Sequence, residues 1–134
     1  MCPTCASVNP VWVTCRNATY PLTCISTFYL ELSNQTCMNC SLVNPTWVTC
    51  SSAATALTCI SGFYVNNGNC LRCSDVNPLW TTCATCNIPT GCIARYYLAN
   101  NFCLLCSAVN PTWVNCLNAT VALSCIPGFF LNGT

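Results

Sequence analysis

The feature that most constrains this chain is a cysteine frame, clearest in Cys37 to Cys59, CMNCSLVNPTWVTCSSAATALTC. Two residues separate its first and second cysteines, nine the second and third, and eight the third and fourth. The same spacing recurs without exception at Cys2, Cys5, Cys15 and Cys24, at Cys37, Cys40, Cys50 and Cys59, at Cys70, Cys73, Cys83 and Cys92, and at Cys103, Cys106, Cys116 and Cys125. A fixed period of this length marks tandem supersecondary units. We label the four cysteines of each frame a, b, c and d. The reading is four modules: 1–36, 37–69, 70–102 and 103–134. Each is too small to offset its chain entropy by apolar burial alone, so it needs cross-links or metal.

Seventeen cysteines in 134 residues supply cross-links at a density typical of oxidising, extracellular settings. Five Asn-x-Ser/Thr sequons agree with export: Asn17, Asn34, Asn39, Asn118 and Asn132. Asn17 and Asn118 hold the same place, two residues after cysteine c. The 27 Ser and Thr residues leave room for O-linked glycans beside N-linked ones. Met1 runs straight into Cys2-Pro3 without the apolar core of a signal peptide, so an exported chain of this kind is expected to be a mature form or a fragment.

Charge is nearly absent. Arg16, Arg72, Arg95, Glu31 and Asp75 are the whole inventory, with no Lys and no His. Nothing here suits nucleic acid or an anionic membrane surface. The longest apolar run, Phe102 to Cys106, is far short of a membrane span. No acid–base or nucleophile–base pair can be assembled from one Glu and one Asp in different repeats, so no catalysis and no cofactor is expected. Two carboxylates also cannot build an ordinary calcium cage. Weak colloidal repulsion leaves two outcomes, which are compatible: glycans keep the chain soluble, or it associates.

Each frame carries Asn-Pro-x-Trp before cysteine c, giving Trp12, Trp47, Trp80 and Trp113. One expectation is that each Trp packs on its own Pro and a disulfide as a small core. The other is an exposed aromatic ladder that stacks on sugars or on a neighbouring chain. After cysteine d comes a tail with an aromatic pair: Phe28-Tyr29, Phe63-Tyr64, Tyr96-Tyr97 and Phe129-Phe130. Each tail reads as a short strand and turn, one aromatic facing its own module and the other a neighbour. No segment keeps a helical apolar period. The fold class is a small disulfide-rich repeat protein, four tandem modules of short β-ribbons and loops in an extended solenoid with little helix.

The a–d frame resembles the two-disulfide module of tumour necrosis factor receptor cysteine-rich domains. The tail and following C-x2-C resemble growth-factor-receptor, furin-like cysteine-rich repeats, as found in protist surface proteins. The first resemblance implies pairing a to c and b to d: Cys2–Cys15, Cys5–Cys24, Cys37–Cys50, Cys40–Cys59, Cys70–Cys83, Cys73–Cys92, Cys103–Cys116 and Cys106–Cys125. The rival is b to c with d to the next a, as in the last loop of an epidermal growth factor module. It leaves Cys2 and Cys125 to bond across a join between copies. Structural zinc fits poorly, because the second cysteine pair is separated by eight residues and His is absent. Redox chemistry fits poorly without a βαβ context. In two tails Thr27 and Arg95 replace the Gly found at Gly62 and Gly128, so this position is not expected to need positive φ.

Cys86 stands outside the frame, at a position held by Ala18, Ala53 and Ala119 in the other repeats. It reads either as a buried thiol in a small-residue slot or as an inter-chain or mixed disulfide. Successive frames start 35, 33 and 33 residues apart. A copy appended after Thr134 would place its Cys2 one further step of 33 beyond Cys103. The expected partners are therefore copies of itself, as head-to-tail subunits or as a covalent tandem array. The functional expectation is an extracellular structural glycoprotein of a filament or cell-surface coat. The alternative is a ligand-binding or adhesive receptor-like ectodomain. Near-identical loops favour a lattice, since a receptor needs one unique site.

Overall fold

A computed structural model describes residues 2–132. Met1 and Thr134, the residues of the expected join, lie outside them. The chain forms two compact units, residues 1–71 and 72–134. The first holds α1 (Cys5–Val8), β1 (Trp12–Asn17), β2 (Tyr20–Cys24), β3 (Phe28–Glu31), β4 (Thr36–Asn39), α2 (Cys40–Val43), β5 (Trp47–Ser52), β6 (Thr55–Cys59) and β7 (Phe63–Asn66). The unit boundary falls within β8 (Asn69–Arg72). The second holds α3 (Cys73–Val76), β9 (Trp80–Thr85), β10 (Ile88–Cys92), β11 (Tyr96–Ala99), β12 (Phe102–Leu105), α4 (Cys106–Val109), β13 (Trp113–Asn118) and β14 (Val121–Cys125). Every sheet among the described residues is two-stranded, joining strands adjacent in sequence. Helix is 12% of the chain. The fold is therefore mostly β-hairpin, in repeated hairpin–disulfide modules.

Local sequence explains each part. Cysteine b opens a one-turn helix. Thr4 and Asn39 cap two of these turns, their side-chain oxygens accepting from the Ser7 and Ser41 N–H groups. Asn-Pro stops the helix and makes a β-turn, with the Asn carbonyl accepting the Trp N–H at 3.0, 3.0, 2.9 and 3.0 Å for Trp12, Trp47, Trp80 and Trp113. Proline suits the second turn position because its ring already holds φ near the required value. A hairpin follows, with a two-residue turn and register shifts along β1–β2, β5–β6, β9–β10 and β13–β14. The tail hairpins turn tightly at Asn67-Gly68 and Asn100-Asn101, with positive φ at all four residues. That geometry matches the right-handed strand twist and suits Asn and Gly.

A second β-turn follows each cysteine d. Its closing bonds run from Phe28, Phe63, Tyr96 and Phe129 N–H to the carbonyls of Ile25, Ile60, Ile93 and Ile126. Gly62 and Gly128 occupy its third position at φ 87° and 91°. Arg95 takes the same place at φ 74°, contrary to the sequence expectation, whereas Thr27 shows no positive φ. In the longer first tail another geometry closes the turn. In the third the turn's own hydrogen bond, with the Arg95 N–H donating to Asn115 Oδ1 at 2.9 Å, holds Arg95 in the left-handed region. A side chain there costs about 1 kcal/mol. Arg95→Gly is accordingly expected to stabilise the second unit by about 0.5–1 kcal/mol in urea unfolding; a loss of stability would show that the Arg95 side chain contributes more than the strain it imposes.

The cores are small and built on sulfur. In the first unit, Tyr29, the Cys40–Cys50 bridge, Trp47 and Ala56 form one buried cluster. In the second, Tyr97 and the Cys106–Cys116 bridge form another, with Trp113 and Ala99 against it. In both, the tail tyrosine of one repeat packs on the b–c bridge of the following repeat. The tryptophans thus pack in cores: Trp47 and Trp80 are buried, and Trp12 and Trp113 half-buried. No helix of the described residues is long and apolar enough to cross a membrane.

Candidate functional site: the bridges between repeats

Seven disulfides are formed: Cys5–Cys15, Cys24–Cys37, Cys40–Cys50, Cys59–Cys70, Cys73–Cys83, Cys92–Cys103 and Cys106–Cys116. This is b to c and d to the next a. The a-to-c and b-to-d pairing implied by the tumour necrosis factor receptor resemblance is not formed. Backbone geometry gives the reason. The one-turn helix and the Asn-Pro turn fold cysteine c back onto b, with Cα atoms 5.7 Å apart in Cys40–Cys50, within disulfide reach. Cysteine d ends the second strand opposite the Trp, as in Trp47 with Cys59. From there the tail hairpin carries the next a beside it, Leu30 pairing Cys37 and Leu98 pairing Cys103.

The consequence is a division of labour. A b–c bridge lies inside one frame and is buried, with Cys40, Cys73 and Cys106 wholly shielded from solvent. A d–a bridge joins one frame to the next. Cys24–Cys37, Cys59–Cys70 and Cys92–Cys103 are therefore covalent joints between consecutive repeats, with Cα separations of 5.8, 5.7 and 5.7 Å.

Three cysteines placed by their frame or turn remain thiols: Cys2, Cys86 and Cys125. Cys2 and Cys125, expected in bridges to Cys15 and Cys106, have lost those partners to Cys5 and Cys116. Cys86 is exposed rather than buried. Its counterparts Ala18, Ala53 and Ala119 are exposed too, because the slot is the two-residue turn of the hairpin and not a packed pocket. Small residues there reflect turn geometry.

The sequons lie at turns. Asn17 and Asn118 are exposed, and each side-chain oxygen accepts from the N–H and hydroxyl of its own sequon threonine, Thr19 and Thr120. The Asn34 oxygen accepts the Thr36 hydroxyl. In all three, Nδ2, the atom that would carry a sugar, stands outside these bonds. Asn39 is half-buried, and its oxygen is engaged by Ser41 as the cap of α2. Asn132 is exposed, while its sequon threonine, Thr134, lies outside the described residues.

Among the described residues no cluster of three or more His, Cys, Asp or Glu groups is placed to hold a metal. No family model, curated protein or solved structure matches this chain.

Proposed function

We propose that this chain is an extracellular structural glycoprotein whose repeats stack as an extended solenoid in a filament or cell-surface coat. The observation that carries the reading is the d–a bridge, since each frame is covalently tied to the next rather than closed on itself. A chain of such joints resists being pulled apart or locally unfolded without reduction, which suits a load-bearing coat. Seven disulfides point to maturation in an oxidising compartment, outside the cell or on the way there.

Surface chemistry supports association. Leu32, Leu42, Leu117 and Phe102 are exposed, and only five residues carry charge. Little electrostatic repulsion then opposes contact between copies. N-glycans on Asn17 and Asn118, at the same place in the first and fourth frames, would solvate the sides of the array. The growth-factor-receptor-like tails fit this use, because each places an aromatic into the following repeat's core.

The test is secretion of the 134-residue chain from a eukaryotic host. Light scattering and negative-stain electron microscopy follow, with and without enzymatic removal of N-glycans. The expected result is concentration-dependent, unbranched filaments of a glycosylated protein. Monodisperse, unassociated chains at milligram-per-millilitre concentration would overturn the filament reading.

A further inference from the structure

The fourth repeat ends in half a joint, and the first begins with the other half. In the first joint β3 pairs β4 with Phe28 opposite Asn39, Tyr29 opposite Met38 and Leu30 opposite Cys37, and the Cys24–Cys37 bridge lies beside them. After Cys125 the turn forms as in the second and third repeats, with Gly128 at positive φ and Phe129 N–H bonded to the Ile126 carbonyl at 3.2 Å. Residues 129–132 then leave that turn with no strand beside them. Phe130, the counterpart of the buried Tyr29, Tyr64 and Tyr97, is 84% exposed where those are 7–8% exposed. An open apolar groove lies there, lined by Trp113, Val121, Ala122, Cys125, Phe129 and Phe130. Ala122 is half-buried, although its counterparts Pro21, Ala56 and Pro89 are buried.

The first repeat shows the complementary lack. Its b–c bridge, Cys5–Cys15, and Trp12 are only half-buried, where Cys40, Cys50 and Trp47 are buried beneath Tyr29. No preceding tail aromatic covers them. Residues 2–4 are exposed, and Thr4 already holds the extended conformation of its counterpart Asn39, φ −77° and ψ 154° against −72° and 128°. Both thiols of the missing bridge are free, Cys125 at position d and Cys2 at position a.

We propose that the two halves close on each other between copies: residues 129–132 of one chain pair with residues 2–4 of the next, Phe130 seats on Trp12 and the Cys5–Cys15 bridge, and Cys125 forms a disulfide with the next copy's Cys2. The register of the first joint sets Phe129 against Thr4, Phe130 against Pro3 and Leu131 against Cys2. Adding a strand to an open edge gives main-chain bonds, and the aromatic gives register. Pro3 has no N–H to donate, so the pairing has one ladder bond fewer than β3–β4. It also keeps this free edge from pairing indiscriminately. The occupant is a second copy because knob, socket and both thiols repeat, residue for residue, the joints inside the chain. This deepens the filament reading by naming its axial contact.

The chemistry is thiol–disulfide exchange with a low-molecular-weight disulfide as oxidant. The Cys125 thiolate attacks the donor and releases one small thiolate. The Cys2 thiolate of the next copy then attacks the Cys125 sulfur of the mixed disulfide and releases the second. The protons lost by the two cysteines pass to the two small thiolates. Two protein thiols are oxidised to one disulfide, and one donor disulfide is reduced to two thiols.

The experiment exposes the secreted full chain to oxidised glutathione and resolves it without reductant. A ladder of integral chain multiples is expected, collapsing to one band on reduction, with a Cys125–Cys2 linked peptide in the digest. Cys86→Ser is expected to leave the ladder intact. In that background, Cys2→Ser alone and Cys125→Ser alone are expected to run as monomers, while their equimolar mixture gives a dimer and nothing longer. The dimer also shows that both variants fold. A ladder that persists in either variant, one that is lost with Cys86→Ser, or a bridge between Cys2 and Cys125 of the same chain would each overturn the joint. Filaments lacking this bridge would sink the joint and leave the filament reading standing. Cross-linked ladders without filaments would do the reverse.

Discussion

Removing the Cys40–Cys50 bridge by replacing both cysteines with Ala is expected to destabilise the first unit by about 3 kcal/mol or more. The chain-entropy relation for a loop of this size supplies about 3 kcal/mol. The sulfurs also sit in the cluster of Tyr29, Trp47 and Ala56, so their loss opens space that the neighbours only partly fill. Replacing Cys24 and Cys37 removes a joint of similar loop length but half-buried, and it is expected to cost less. Urea unfolding of wild type and both double variants measures the two values. Peptide mapping of the unreduced protein must first find Cys40 linked to Cys50. A map with Cys40 joined to Cys59 would remove the basis of the comparison and restore the a-to-c, b-to-d pairing.

Trp47→Ala is expected to cost about 3–5 kcal/mol, the range for truncating a large buried aromatic. Trp47 is 4% exposed and closes the first unit's cluster against Tyr29 and the disulfide. Its Nε1–H is buried without a hydrogen-bond partner. Such a donor has lost its water without replacement, at a cost of about 1–3 kcal/mol. Trp47→Phe discards that donor along with part of the ring, so it is expected to cost less than half of the Ala change. Equal losses for Phe and Ala in thermal or urea unfolding would show that the indole N–H is satisfied, or that the cluster tolerates no smaller ring.

Much of this fold was legible in the residues. Asn-Pro-x-Trp is a turn whose bonds follow from what Asn and Pro do locally, and Asn67-Gly68 is a hairpin signal of the ordinary kind. The strand tails and the small helix content were readable for the same reason: each depends on a few consecutive residues. The Arg95 turn was misread because substitution was taken to mean relaxed geometry. A non-glycine residue can be held at positive φ when hydrogen bonds around it leave no alternative. Cys86 was half misread, because alanine at a position suggests either a packed slot or a tight turn, and exposure alone separates them.

The frame spacing by itself determined that the chain is a set of near-identical hairpin units needing covalent support, because apolar burial in so few residues cannot offset their entropy. It left the pairing open, since four cysteines at fixed spacing satisfy more than one connectivity. Only the tertiary structure decided it. The Asn-Pro turn folds c onto b, and the tail hairpin delivers the next a to d, so bridges that could have closed each module instead join it to its neighbour. Proximity in space, which spacing along the chain does not encode, selects one disulfide set over another.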